Sequence, residues 1–477
     1  MDRAAFLYKH FILEMGYEPT PGQDGFLRSL SSFLAGDDGD IFVLSGYAGT
    51  GKTTALAAVV GALTALKIPC VLLAPTGRSA KVLSAFAGRP AHTIHKGIYR
   101  QKSVDDSGFG RFTLTPNKAR DTVFIVDEVS LIGTAAASGE QISFGSGDLL
   151  SDLVSYVRSG VDCRLILSGD DAQLPPVGLD ESPALAPEVM EQFGGVSYCT
   201  ITDVVRQASE SGILRNATRL RELIRGAFPG RTFDSLKLDL RGVDDVERIG
   251  GADLIETLSD AYSRYGSDET VVLCRSNKRA VRYNLGIRSQ VEWKEEKLSR
   301  GDKVMIVKNC YQFLEDDSGM DYIANGDVAE IRRLDKYTDR YGLHFASATL
   351  SFPDYGDMTI KAKVCLDTLE SESASLTREQ QDALFRGVDA DYSHIQNKRK
   401  RYEAVREDPF YNALQLKYAA ALTCHKSQGG QWKCVFIDNP FWQDEQSLDD
   451  LKWLYTAMTR AVEKVYLVNF NDRFFEL

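Results

Sequence analysis

The segment Gly46-Tyr47-Ala48-Gly49-Thr50-Gly51-Lys52-Thr53 constrains this chain more than any other stretch. It fits the pattern G-x-x-x-x-G-K-[ST] at every defined position. The apolar run Ile41-Phe42-Val43-Leu44 precedes it and reads as a buried strand; the Ala-rich run Thr54-Ala55-Leu56-Ala57-Ala58 follows and reads as a helix. Between such elements the glycines let backbone N–H groups turn toward an anion, and the helix N-terminus adds a favourable dipole. Lys52 is placed to reach the β- and γ-phosphates of a nucleoside triphosphate, and the Thr53 hydroxyl to hold Mg²⁺. Gly46, Ala48, Gly49, Thr50, Gly51, Lys52, Thr53 and Thr54 are the candidate nucleotide contacts. A glycine-rich turn that binds nothing does not account for the Lys, the Thr and both flanking elements together.

Apolar strands alternate with helical stretches through the first two hundred residues: Ile41 to Leu44, Cys70 to Ala74, Val123 to Val126 and Arg164 to Leu167. This indicates βαβ units and a parallel sheet, covered on both faces because the strands lack period-two alternation. A second α/β series starts at Thr270-Val271-Val272-Leu273-Cys274 and resumes at Cys434-Val435-Phe436-Ile437 and Val465-Tyr466-Leu467-Val468. Between its two parts, residues 301 to about 368 show short β-like runs with turn signals at Asn325-Gly326-Asp327, which suggests a small β-barrel. Residues 372–415 look helical and highly charged, with a capping box at Thr377 and Gln380. Residues 99–120 suit a β-hairpin around Asp105-Asp106-Ser107-Gly108, and 133–148 read as a flexible loop. No internal repeat is present.

At 477 residues the chain should form two to four domains. A hydrophobic fraction of 43% is ordinary for a globular protein. No apolar run is long enough to cross a membrane, and the acidic start is no signal peptide. The eight cysteines are scattered without a C-x-x-C pair, so neither zinc nor a disulfide frame is suggested, and a cytoplasmic setting fits. A net charge of −11 argues mildly against a nonspecific polyanion binder, although one groove can be basic on an acidic surface. The basic run Lys398-Arg399-Lys400-Arg401 reads first as a solvated helix face.

Val123-Phe124-Ile125-Val126-Asp127-Glu128 is an apolar strand ending in two acids. Beside a phosphate loop, Asp127 would hold Mg²⁺ and Glu128 would polarise the attacking water. The next strand delivers Ser168-Gly169-Asp170-Asp171-Ala172-Gln173, in which Gln173 suits contact with phosphate oxygen or water. Gln23 can read adenine N6 and N7 through its amide; with Thr20 and Pro21 it also makes a helix N-cap with Pro at N1 and Gln at N3.

Together these segments resemble the ordered motifs of superfamily 1B helicases, the branch containing RecD and the phage Dda helicase. Ala74-Pro75-Thr76-Gly77-Arg78-Ser79-Ala80-Lys81 resembles the family's DNA-contacting motif, and His92-Thr93-Ile94-His95 the element after it. Thr202-Asp203-Val204-Val205-Arg206-Gln207 resembles the segment carrying a first arginine finger. Thr423-Cys424-His425-Lys426-Ser427-Gln428-Gly429 and Tyr455-Thr456-Ala457-Met458-Thr459-Arg460-Ala461 resemble two motifs of the second domain, the latter with a second arginine finger. The likeness runs from about residue 18 to 470 in family order.

The resemblance implies an α/β fold of two RecA-like domains, 1–95 with 122–210 and 211–300 with 416–477. A small pin hairpin (96–121) and a Src-homology-3-like barrel with a helical projection (301–415) would be inserted. It implies an ATP- and Mg²⁺-dependent DNA helicase moving 5′ to 3′ on single-stranded DNA, acting as a monomer at single-strand/duplex junctions. A single-strand binding protein or a replication or repair protein is a candidate partner. Hydrolysis would rest on Lys52, Asp127, Glu128, Gln173, Arg206 and Arg460, with Thr53 and Asp127 on the metal and Gln23, Arg206, Gly429 and Arg460 also at the nucleotide. DNA contacts would come from Pro75, Thr76, His92, Thr93, His95, Asn277, Thr423, His425 and Lys426, with Phe86, Tyr99 and Trp432 as candidate base-stacking aromatics. The alternative is a translocase that displaces proteins with little unwinding. A nucleotide switch would not need the paired arginines, and no spare acidic cluster supports a nuclease fusion.

Overall fold

The computed structural model describes residues 2–37, 39–104, 110–133, 145–203, 211–226, 233, 236–310, 313 and 323–476. Two parallel sheets and one closed barrel form its frame. The first sheet has six strands in the order 91–93, 70–74, 123–126, 164–169, 41–46 and 196–201. Its central members are Val-, Ile- and Leu-rich and buried along their length, because helices cover both faces. The helix Lys52–Ala65 shows the same logic: Ala55, Leu56, Val59, Val60, Ala62 and Leu63 are all buried.

The second sheet has five strands in the order 421–423, 270–274, 432–438, 461–468 and 246–249, again parallel. The helix Leu448–Met458 lies between the two sheets, and every residue from Leu451 to Met458 is buried. One apolar cluster crosses from one sheet to the other, joining Tyr47, Ala172 and Leu174 to Ile213, Leu220, Trp453, Leu454 and Tyr455.

The closed barrel consists of 303–306, 328–340, 343–352, 358–365 and 414–418. Its last strand runs to Tyr418, so the barrel ends three residues beyond the boundary expected at 415. Helices Arg378–Asp391 and Lys398–Glu407 follow the barrel's long strands and pack through Leu384, Val388 and Val405 onto Leu343, Phe345 and Cys365. The capping boxes at Thr20/Gln23 and Thr377/Gln380 are both formed. Lys398, Arg399 and Lys400 are exposed, as a solvated helix face requires.

Strands Tyr99–Val104 and Gly110–Leu114 pair as an antiparallel hairpin. Its expected tip at 105–108 lies outside the described residues, as does 134–144 of the expected loop. The turn Pro353–Tyr355 of the barrel sits against helix Gly77–Ala87, where Lys81 and Asp354 form an ion pair at 3.2 Å. Among the described residues no helix is long and apolar enough to cross a membrane. All eight cysteines are free thiols.

Candidate active site

The phosphate loop leaves its strand at Gly46 and enters its helix at Lys52. Gly49 and Gly51 adopt φ values of 77° and 72°, a left-handed backbone that favours glycine. The first helical N–H groups, from Lys52 to Thr54, have no partner within the helix and face the loop's hollow. Lys52 Nζ folds back to donate to the Gly46 carbonyl at 2.8 Å. Thr50 Oγ1 donates to the Tyr47 carbonyl at 2.8 Å and stiffens the loop from inside.

Asp127 and Glu128 follow the adjacent strand. Asp127 is buried, and Ser168 Oγ donates to its Oδ1 at 2.8 Å. Burial, and then the charge of Glu128, push its carboxyl above the usual range, while Lys52 opposes the rise. Glu128 has φ 58° and ψ 37°, left-handed geometry that a non-glycine residue rarely holds. Such strain persists only where the surroundings impose it, and it clusters at functional positions.

Arg460 reaches this acid from the second sheet. Only 3% exposed, it donates from Nε to the Thr456 carbonyl (3.2 Å) and from Nη1 to the Gly430 carbonyl (3.3 Å). The same Nη1 lies 3.9 Å from Glu128 Oε1. The guanidinium is thus held by carbonyls on its own side and aimed at the acid on the other.

The loop after the fourth strand is gripped from the second sheet as well. Leu174 N donates to Thr456 Oγ1 at 2.8 Å, and Gln428 Nε2 donates to the Leu174 carbonyl at 2.6 Å. Gln173 is buried, and its Oε1 has no hydrogen-bond partner among the described residues. An unpaired acceptor in that position suits a water or hydroxyl donor. Thr53, Asp127 and Glu128 offer a set of hard oxygens, which fits Mg²⁺ rather than a softer metal.

Gln23 is fully buried, and both ends of its amide are engaged. Oε1 accepts from Thr20 N (3.0 Å) and Nε2 donates to the Thr50 carbonyl (3.1 Å). It links the phosphate loop to the helix cap, and adenine contact would use its remaining N–H. Arg206 lies outside the described residues.

The candidate nucleic-acid residues collect at the carboxyl edges of both sheets. Ala74 pairs with Thr93 in the first sheet, and Cys274 with Thr423 in the second. Thr76 and Thr93 cap their helices by accepting from Ser79 N (3.1 Å) and Lys96 N (3.2 Å). The Thr93 hydroxyl keeps a proton to donate, while Thr76 Oγ1 also shares a 2.5 Å hydrogen bond with Ser79 Oγ. Pro75 is half-buried beside Thr76, and His92 is exposed. Burial pushes the His95 imidazole down to about 4, and lowers His425 as well.

Asn277, Thr423 and Lys426 line one small hollow with Lys417, a barrel residue that the sequence reading passed over. Burial lowers both lysines, Lys417 to about 8, with the charge of Lys426 as the second cause. A lone lysine inside Leu414-Gln415-Leu416-Lys417-Tyr418 was the available signal. Arg275 is held by Asp449 and Asp450, both at 2.7 Å. Of the three aromatics, Tyr99 and Trp432 are buried. Tyr99 donates to Asp152 at 2.6 Å, and Trp432 lies under the Arg78 guanidinium at 3.9 Å. Phe86 remains exposed.

The two edges touch. Gly429 has φ 73°, and a Cβ there would lie 2.1 Å from Ser79 Oγ and 3.1 Å from Thr76 Oγ1. Only glycine permits this approach.

Comparison with known proteins shows what these sites are similar to. Residues 28–227 match a model described as an AAA domain, and 418–468 match a UvrD-like helicase C-terminal domain. The ATP-dependent RecD2 DNA helicase of Deinococcus radiodurans is 34% identical over 214 residues, covering 44% of this chain and 25% of that protein. The ATP-dependent DNA helicase dda of Enterobacteria phage T4 is 29% identical over 181 residues, covering 37% of each. The chain thus spans about a quarter and just over a third of the length of these curated relatives. Among solved structures, a Pif1 helicase from Bacteroides in complex with ADP-AlF3 and ssDNA aligns over 97% of this chain and 95% of that one, at 16% identity and a TM-score of 0.46. With an AAA model on the first sheet's half, a UvrD-like helicase model on the second, and RecD2 and Dda each matched over part of their length, the chain is similar to the superfamily 1B helicases of the RecD/Dda-like branch.

Proposed function

We propose that this chain is a Mg²⁺-ATP-driven DNA helicase that moves 5′ to 3′ on single-stranded DNA and unwinds duplex ahead of it. The observation that carries this reading is the reach of Arg460 across the cleft to within 3.9 Å of Glu128, beside the phosphate loop. Hydrolysis then depends on how the two sheets sit, which is what a motor requires. A protein that only binds nucleotide needs no such opposed cation.

Lys52 holds the β- and γ-phosphoryl oxygens once it leaves the Gly46 carbonyl. Thr53 and Asp127 would hold Mg²⁺, which would supply charge neutralisation for the phosphates. Glu128 orients the attacking water and accepts its proton. Gln173 takes a hydrogen bond on its free Oε1 from that water or a neighbouring hydroxyl. Arg460, and Arg206 by resemblance, balance negative charge as the γ-phosphoryl departs. Thr76 and Thr93 on one edge, and Asn277, Thr423, His425 and Lys426 on the other, meet the strand's phosphates. The proposed pin is the hairpin 99–114. The free thiols support a reducing compartment.

Unwinding of 5′-tailed against 3′-tailed duplexes, in DNA and RNA versions, tests the reading. Unwinding is expected only with a 5′ DNA tail, and a 3′ preference overturns the polarity. Strand displacement that survives deletion of 105–110 undiminished removes the pin assignment, whereas a wild type that translocates but barely separates strands favours the translocase alternative.

The lysine hollow gives a separate expectation. A single-strand phosphate contact contributes a slope of about 0.7 to the dependence of log K on log salt. Lys426→Ala should flatten the slope for single-stranded DNA by roughly that amount, across all base compositions. A parallel, unshifted salt line would remove Lys426 from the interface.

A further inference from the structure

Tyr455 stands in the buried helix Leu448–Met458 of the second sheet's domain, yet its hydroxyl belongs to the first domain's chemistry. It donates to Asp170 Oδ2 at 2.6 Å and accepts from Ala48 N at 2.9 Å. Ala48 is part of the phosphate loop, and Asp170 opens the loop that carries Gln173. One hydroxyl from the far side of the cleft thus ties together the two first-domain loops that face the nucleotide. The ring is 1% exposed and sits in the apolar cluster that spans both sheets.

We propose that Tyr455 is a positioning residue that couples closure of the cleft to the phosphate loop. With the sheets docked, its hydroxyl fixes the Ala48 amide and the Asp170 carboxylate in one arrangement. When the second sheet withdraws, both are released together. The proposal rests on the motor reading above and adds to it a residue that touches neither the reacting phosphoryl group nor the water.

The geometry separates this role from simple packing. Neighbouring hydrogen bonds from Thr456 and Gln428 hold the same loop through the backbone of Leu174. Tyr455 alone among them meets a side-chain charge and the phosphate loop. The Asp170 carboxylate is enclosed by groups from several elements: Lys52 at the start of its helix, Asp171 on its own loop, Lys452 and Tyr455 on the buried helix. Arg221 approaches Tyr455 from helix Gly212–Arg225. Burial raises Asp170 to about 6, and the hydrogen bond from Tyr455 opposes the rise. Removing the hydroxyl must therefore raise Asp170 further, so the carboxylate protonates at a higher pH.

The test is steady-state ATP hydrolysis by the full chain with saturating single-stranded DNA, for wild type, Tyr455→Phe, Asp170→Asn and the double variant, across pH 5 to 9. Phenylalanine keeps the ring and its packing but removes the partner of Asp170 Oδ2 and Ala48 N, so the chain should stay folded with a modestly lower melting temperature. In Tyr455→Phe, kcat should fall roughly tenfold to a hundredfold, the range expected for one lost hydrogen bond to a charged group. KM for ATP should stay within about twofold, and the acid limb of the kcat profile should move to higher pH. The double variant should lose no more than the worse single variant, because both changes break one link. A Tyr455→Phe enzyme with wild-type kcat and an unmoved acid limb overturns the proposal, as does a double variant whose losses multiply. A wild type without DNA-stimulated hydrolysis overturns the motor reading and the proposal together.

Discussion

Lys52→Ala is expected to abolish DNA-stimulated ATP hydrolysis while the chain keeps its fold. The Lys52 side chain makes one hydrogen bond, to the Gly46 carbonyl, and no ion pair is seen for it among the described residues. Truncation at this half-buried position costs about 1 kcal/mol of stability, the net worth of an ordinary hydrogen bond. The chemical loss is far larger. A preorganised donor aimed at developing charge contributes at least about a hundredfold. Lys52 also holds the buried carboxyls of Asp127 and Asp170 below the values burial alone would impose. Without it, both protonate more readily, and the oxygens proposed to hold the metal weaken with the proposed phosphate contact. Turnover with saturating DNA and a thermal melt, run side by side, check both halves. Unchanged turnover would sink the assignment of the loop.

Arg460→Ala should also stop hydrolysis, by about a thousandfold or more for the loss of an arginine finger, but it should not leave the fold untouched. This side chain is buried, and its departure leaves the Gly430 carbonyl without that donor and the Thr456 carbonyl with Thr459 Oγ1 only. A buried unsatisfied acceptor costs about 1–3 kcal/mol, so the melting temperature should drop. Arg460→Lys keeps a positive charge but cannot reproduce the planar fork that meets two carbonyls and Glu128. It should recover part of the stability and little of the rate. A lysine variant with full kcat would show that the fork has no catalytic role. The contrast with Lys52 is itself diagnostic: one cation is tethered by a single hydrogen bond, the other is built into the frame.

Much of this arrangement was legible in the sequence because it is local. The phosphate loop and the acids at the end of Val123–Val126 are written in consecutive residues, as are both capping boxes. Strands 70–74, 123–126 and 270–274 match the apolar runs residue for residue. The edge strand 196–201 escaped because five of its six residues are not buried and its run is broken by Ser197 and Thr200. The long barrel strand Val328–Arg340 escaped for a similar reason. Its outer part, Arg332-Arg333-Leu334-Asp335-Lys336-Tyr337-Thr338-Asp339-Arg340, is mostly charged and pairs with only one neighbour beyond the barrel wall. Contacts between the two sheets left no trace in one dimension. Nothing in Tyr455-Thr456 says that these hydroxyls reach Asp170 and Leu174, some 280 residues away. Gln23 shows the converse. Its capping role was readable from Thr20-Pro21, but the engagement of its other amide end by Thr50 was not.

The contact of Gly429 with Thr76 and Ser79 sets a limit on travel. With Gly429 packed this closely on Ser79 and Thr76, the two edges have little room to come nearer unless those side chains move. In the proposed motor, movement of the cleft would therefore be mainly opening from this contact, and the width of that opening would set the length of each step.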